Sequence, residues 1–158
     1  MNKQPDIRGV MISVTGGRVL LPNATVAEVI TYSEPEPVPG APAWLLGRIR
    51  WRGWRIAMVS FARLAGFSET EGERGSKVAV LKALSGQPRL PYFCMLTQGF
   101  PRLTTVSAEA LLPAPDDQPL PQGVLARVTL RDDDAVIPDL EQIERRLTEV
   151  LGLASAAA

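Results

Sequence analysis

Short apolar runs, most of them rich in Ile, Val and Leu, recur along the chain and are separated by Gly, Pro and Asp. That spacing predicts many short strands rather than long helices. Ile7 to Val14 (IRGVMISV) reads as the first strand. Thr15-Gly16-Gly17 is a turn, since Gly tolerates positive φ, and Arg18 to Leu21 returns as the second arm of a hairpin ended by Pro22-Asn23. Ala24 to Tyr32 predicts a short turn and then a strand. Ser33 to Pro42 (SEPEPVPGAP) is too dense in proline for a regular element, because Pro lacks the N–H and restricts the residue before it. A rigid loop is expected there, followed by a single helical turn at Trp44 to Leu46. Arg48 to Trp51 and Trp54 to Val59 flank Arg52-Gly53 as a second hairpin, and Phe61 to Gly66 reads as a short helix stopped by its glycine.

The second half continues in the same way. Ser68 to Ser76 is polar and predicts a mobile loop. Lys77 to Leu84, Pro91 to Thr97 and Val124 to Leu130 predict strands. Leu103 to Pro115 holds a short Ala/Glu/Leu turn, Asp116 to Gly123 a polar loop, and Arg131 to Asp134 a turn with the return strand at Ala135 to Pro138. Asp139 to Leu151 (DLEQIERRLTEVL) is the one convincing amphipathic helix. Leu140, Ile143, Leu147 and Val150 or Leu151 share a face, and Glu141 and Arg145 form a favourable i,i+4 pair. Arg55 to Gly66 and Ala135 to Gly152 both run from an apolar strand into a helix ending at glycine. That faint echo hints at two similar halves. The expectation is an all-β fold with short helices and a C-terminal amphipathic helix. One domain spans 7–151, with 1–6 and 152–158 as tails.

Composition narrows the function. The 158 residues carry 17 Lys and Arg against 17 Asp and Glu, so net charge is zero. A nucleic-acid binder would carry a basic excess, so that partner is not expected. Histidine is absent, which removes Ser-His-Asp and Cys-His nucleophile systems and His-ligated zinc. The single cysteine, Cys94, cannot form an internal disulfide, which favours a reducing compartment. The start, MNKQPDI, does not read as a signal peptide, and no apolar run reaches the roughly 20 residues of a membrane helix. A cytoplasmic protein without direct membrane insertion is expected.

Few residues offer chemistry. Asp132-Asp133-Asp134 and Asp116-Asp117 fall in turns, where Asp bonds local backbone, and no calcium-loop pattern surrounds them. Cys94 lies in the apolar run PYFCMLT and reads as a buried hydrophobe rather than a nucleophile. The glycines form no phosphate-cradling motif. No catalytic, metal or cofactor site is expected, and no enzyme. The unusual segment is Arg48 to Arg55 (RIRWRGWR), which holds four arginines and two tryptophans in eight residues. A packed hairpin is the plain reading. A protein interface is the functional one, since Arg and Trp dominate hot spots. A single-stranded nucleic-acid platform is a further possibility.

The stretch Leu20 to Gly66 resembles the CheW-like family of bacterial chemosensory coupling domains. The resemblance lies in Val26-Ala27-Glu28-Val29, in Pro37 to Gly47 (PVPGAPAWLLG), in Gly47 to Gly53 (GRIRWRG) and in Ile56 to Gly66 (IAMVSFARLAG). Less tightly, Lys77 to Leu84, Leu103 to Pro115 and Ala135 to Leu147 follow in the family's order. The resemblance implies two intertwined SH3-like β-barrel subdomains around a shared core. It also implies a non-catalytic adaptor that bridges the cytoplasmic tip of a chemoreceptor to the regulatory domain of a CheA-type histidine kinase. Glu28 and Arg52 match family positions implicated in that coupling, and Gly53 matches the hairpin glycine. With them, Arg50, Trp51 and Trp54 are the candidate receptor- or kinase-binding residues. Arg50 stands where the family has Asn, Trp51 where it has Leu, Ser60 where it has Asp, and Leu96 where another Asp is usual. These departures suggest an auxiliary coupling protein, such as one in a system controlling type IV pili. The alternative is a small β-barrel that binds a ligand or single-stranded nucleic acid through the Arg/Trp hairpin.

Overall fold

The computed structural model describes residues 6–70, 76–114 and 118–152. The core of the expected mobile loop at 71–75, the Asp116-Asp117 pair and most of both tails lie outside them. The strands are β1 (Ile7–Val14), β2 (Gly17–Pro22), β3 (Val26–Thr31), β4 (Leu45–Trp51), β5 (Trp54–Val59), β6 (Ser76–Lys82), β7 (Tyr92–Gln98), β8 (Arg102–Val106), β9 (Leu111–Pro113), β10 (Val124–Leu130) and β11 (Asp133–Pro138). Two helices join them, α1 (Phe61–Leu64) and α2 (Leu140–Val150).

The strands form two sheets, β8-β1-β2-β11-β10-β9 and β3-β6-β7-β5-β4. The chain begins in the first sheet, builds the whole second sheet from its middle, and returns to finish the first. That is the expected intertwining, and the fold is mainly β with few helices. The two sheets share one wiring. In each, a hairpin (β1–β2 or β6–β7) pairs in parallel with the second strand of another hairpin (β10–β11 or β4–β5). A separate strand, β8 or β3, flanks the first hairpin on its outer side. The second strand of the other hairpin then runs into a helix through an N-capping side chain. Ser60 Oγ accepts the N–H of Arg63, and Asp139 Oδ1 accepts that of Gln142. The echo between the two halves is therefore a structural repeat.

The central strands are buried on both faces, which is why they read as unbroken apolar runs rather than as alternation. In β5, β6 and β7 the residues Ala57, Val59, Ala79, Leu81, Phe93 and Met95 face a large cluster shared by both sheets. Ile56, Met58, Val78, Val80, Cys94 and Leu96 face a second cluster inside the smaller sheet. β1 splits similarly. Val10, Ile12 and Val14 join the shared cluster, and Met11 joins a third one with Leu20, Val128 and Leu130. Helix α2 lays Leu140, Ile143 and Leu147 on the shared core.

Several local expectations are corrected. Trp44 to Leu46 is no helical turn: Trp44 sits in a turn closed by Leu45 N–H to Pro42 O at 3.0 Å, and Leu45 already opens β4. A buried position opposite Val59 wins over the weak local signal. The Arg131 to Asp134 turn is shorter than expected, since Asp133 and Asp134 pair with Leu130 and Thr129 in the ladder. The Glu141–Arg145 ion pair does not form among the described residues. The proline-rich loop gains an unexpected bridge. Glu36 exchanges two backbone hydrogen bonds with Arg48, at 2.8 and 2.9 Å, and so covers the open edge of β4.

Candidate functional site

The β4–β5 hairpin turns on two residues, Arg52 (φ 47°) and Gly53 (φ 82°). Positive φ at both central positions is the twist a two-residue hairpin requires. Gly accepts it freely, whereas an Arg there is strained by about 1 kcal/mol. Trp51 and Trp54 are directly opposite across the hairpin, as are Arg50 and Arg55. Opposed residues project to the same face, so the two tryptophans share one face and the two arginines the other.

The tryptophans have different fates. Trp51 is buried at 8% exposure, against 44% for Trp54. Tyr92 of β7 packs against both, edge-on to Trp51 with ring centroids 4.8 Å apart and 6.4 Å from Trp54. The Arg52 guanidinium lies over the Trp51 ring, 5.0 Å from its centre. Its Nη2 donates to Glu28 Oε1 at 2.9 Å. Glu28 comes from β3, the opposite edge of the same sheet, just after a register shift between Val26 and Glu28. A bulge of that kind re-aims the side chain that follows it. The ion pair thus joins the two edges of the sheet. Arg55 donates to Glu36 on the proline-rich loop at 3.0 Å, which offsets the like charge of Arg50 across the hairpin.

The structure therefore brings Glu28, Arg50, Trp51, Arg52, Gly53 and Trp54 to one end of the smaller sheet. Trp51 differs from the rest: it is part of the sheet's interior and supports the others from beneath. Sequence reasoning did not single out Glu36 or Tyr92. Tyr92 stood in a recognised strand, but nothing local marks it as the ring on which both tryptophans rest. Ser60, in place of a family Asp, is fully buried and still caps α1. Leu96 is interior to the smaller sheet.

Cys94 is buried, and burial pushes its thiol far up. No group of ligating side chains fit for a metal occurs among the described residues. Among them, no helix is long and apolar enough to cross a membrane.

Two sheets of like wiring around a shared core, with a charged hairpin at one end of the smaller sheet, define a two-sheet β domain. The family model for the CheW-like domain matches residues 8–147, so the chain belongs to the CheW-like family, the coupling adaptors of chemosensory signalling. Its fold is similar to that of the crystal structure of the scaffolding protein TtCheW from Thermoanaerobacter tengcongensis. That likeness has a TM-score of 0.71 at 16% identity, covering 87% of this chain and 86% of that one. No curated protein matches it in sequence.

Proposed function

We propose that this domain couples the cytoplasmic tip of a chemoreceptor to the regulatory domain of a CheA-type histidine kinase, using the β4–β5 hairpin end as a docking surface. The observation that carries this reading is the Arg52–Glu28 ion pair at the tip of a rigid hairpin, beside the exposed Trp54. Arg52 is strained, exposed and held by an aromatic ring, an arrangement that presents a guanidinium at fixed geometry. Trp54 supplies an apolar anchor. Arg50 adds charge on the outer face, and Gly53 permits the turn. Trp51 acts as the foundation beneath Arg52.

The setting we infer is cytoplasmic. The departures at Arg50, Trp51 and Ser60 favour an auxiliary coupling role, such as control of type IV pili. The nucleic-acid alternative draws little support from this surface, because the carboxylates of Glu28 and Glu36 stand among its arginines and would repel a phosphate backbone. Retention of the cell's chemosensory kinase and receptors by the purified domain, compared with Arg52→Ala, tests the proposal. Loss of retention in a folded Arg52→Ala variant is expected. Equal retention by both proteins would remove the hairpin as the docking surface. Salt-dependent binding to a single-stranded oligonucleotide would favour the alternative.

A further inference from the structure

Glu144 lies one turn after Leu140 on the inward side of α2, and no part of it is exposed. Its Oε1 accepts the backbone N–H of Leu84 and, at 3.3 Å, that of Ser85, both in the connection between β6 and β7. Its Oε2 is buried and has no hydrogen-bond partner. No ion pair reaches it among the described residues. The charged groups near it are Glu141, Arg145 and Glu149, all on its own helix. The connection residues that meet it, Leu84 to Gln87, are neutral.

With both N–H groups on Oε1, the neutral acid leaves an unpaired O–H at Oε2, whereas the ionised form leaves an unpaired share of a full charge sealed from water there, which costs more. Burial pushes its pKa up, and Glu141 adds to the rise, while the two backbone N–H groups act in the opposite sense. We propose that Glu144 is a proton-controlled latch: neutral, it clamps the 83–91 connection to α2, and ionised, it releases the connection so that water reaches Oε2. The sign follows from linkage. The closed form holds the proton more tightly than the open form. Opening therefore becomes easier as pH rises from the ordinary carboxyl range to the raised value of the closed form, and levels off above it.

Hydrogen exchange of the Leu84 and Ser85 amides in the full chain, corrected for the intrinsic rate, reads the opening directly. Protection is expected to fall with rising pH, by up to about tenfold per unit inside that window. Glu144→Gln keeps an acceptor oxygen and cannot ionise, so its protection should carry no such slope. The slope rather than the level is the readout. A carbon-13 titration of the Glu144 carboxyl in the unmodified protein is the second measurement, valid even if the variant folds poorly. A midpoint above the ordinary carboxyl range is expected. A midpoint at or below it, a flat wild-type profile, or the same slope in Glu144→Gln would each overturn the latch.

Discussion

Arg52 shows how little a residue proposed for docking has to contribute to stability. Its side chain is 69% exposed and that of Glu28 33%, so solvent screens their ion pair to about 0–1 kcal/mol. Arg52→Ala should therefore leave the thermal midpoint within a few degrees of wild type while weakening partner retention. A loss of stability as large as a core truncation would make Arg52 structural instead. Gly47 is the opposite case. Its φ of +145° suits only glycine, and a Cβ there would meet the Glu36 backbone carbonyl, the group that accepts the Arg48 N–H. Gly47→Ala should cost more than about 3 kcal/mol, read as a shift in the denaturant midpoint. Cys94 belongs at this scale too. A buried thiol with a raised pKa should resist alkylation in the native protein and react once the chain is unfolded. The motif residues Glu28, Arg52 and Gly53 were legible in the sequence. The pairing of Glu28 with Arg52 was not, because β3 and the hairpin tip are remote in sequence and meet only when the sheet curls.

Among the elements, the hairpins and α2 were readable because their signals are local. Gly16 in the Thr15-Gly16 turn and the Arg52-Gly53 pair carry the positive φ that the two hairpin turns need, and α2 repeats its apolar residues at helical spacing. Strand β8 was not resolved from its surroundings: Arg102 to Val106 is largely exposed and lacks alternation, and it is a strand because β1 pairs with it. The two caps offer a paired test. Asp139→Ala and Ser60→Ala should each cost about 1 kcal/mol by chemical denaturation, since each removes the acceptor for one helix N–H. Ser60→Asp places a charge where the side chain is fully buried, so it should gain nothing from the family's own residue type.

For the molecule as a whole, the shared cluster governs behaviour. It draws on β1, β2, β5, β6, β7 and α2 together, so neither sheet can unfold without exposing the other's inner face. Ile143 is fully buried at the centre of that cluster. Ile143→Ala should cost about 2–5 kcal/mol and lower a single cooperative transition, with probes in both sheets reporting the same midpoint. Two separate transitions would mean that the sheets are independent units. The sequence by itself determined the all-β class, the principal turns, the terminal helix and the residues of the hairpin motif. It could do so because backbone sterics and hydrophobic period act over a few neighbouring residues. Tertiary structure alone decided which arginine meets which glutamate, which tryptophan is buried, and that Glu144 faces inward. Those outcomes depend on elements far apart in the chain being brought together, and a local pattern carries no record of what lies across the core.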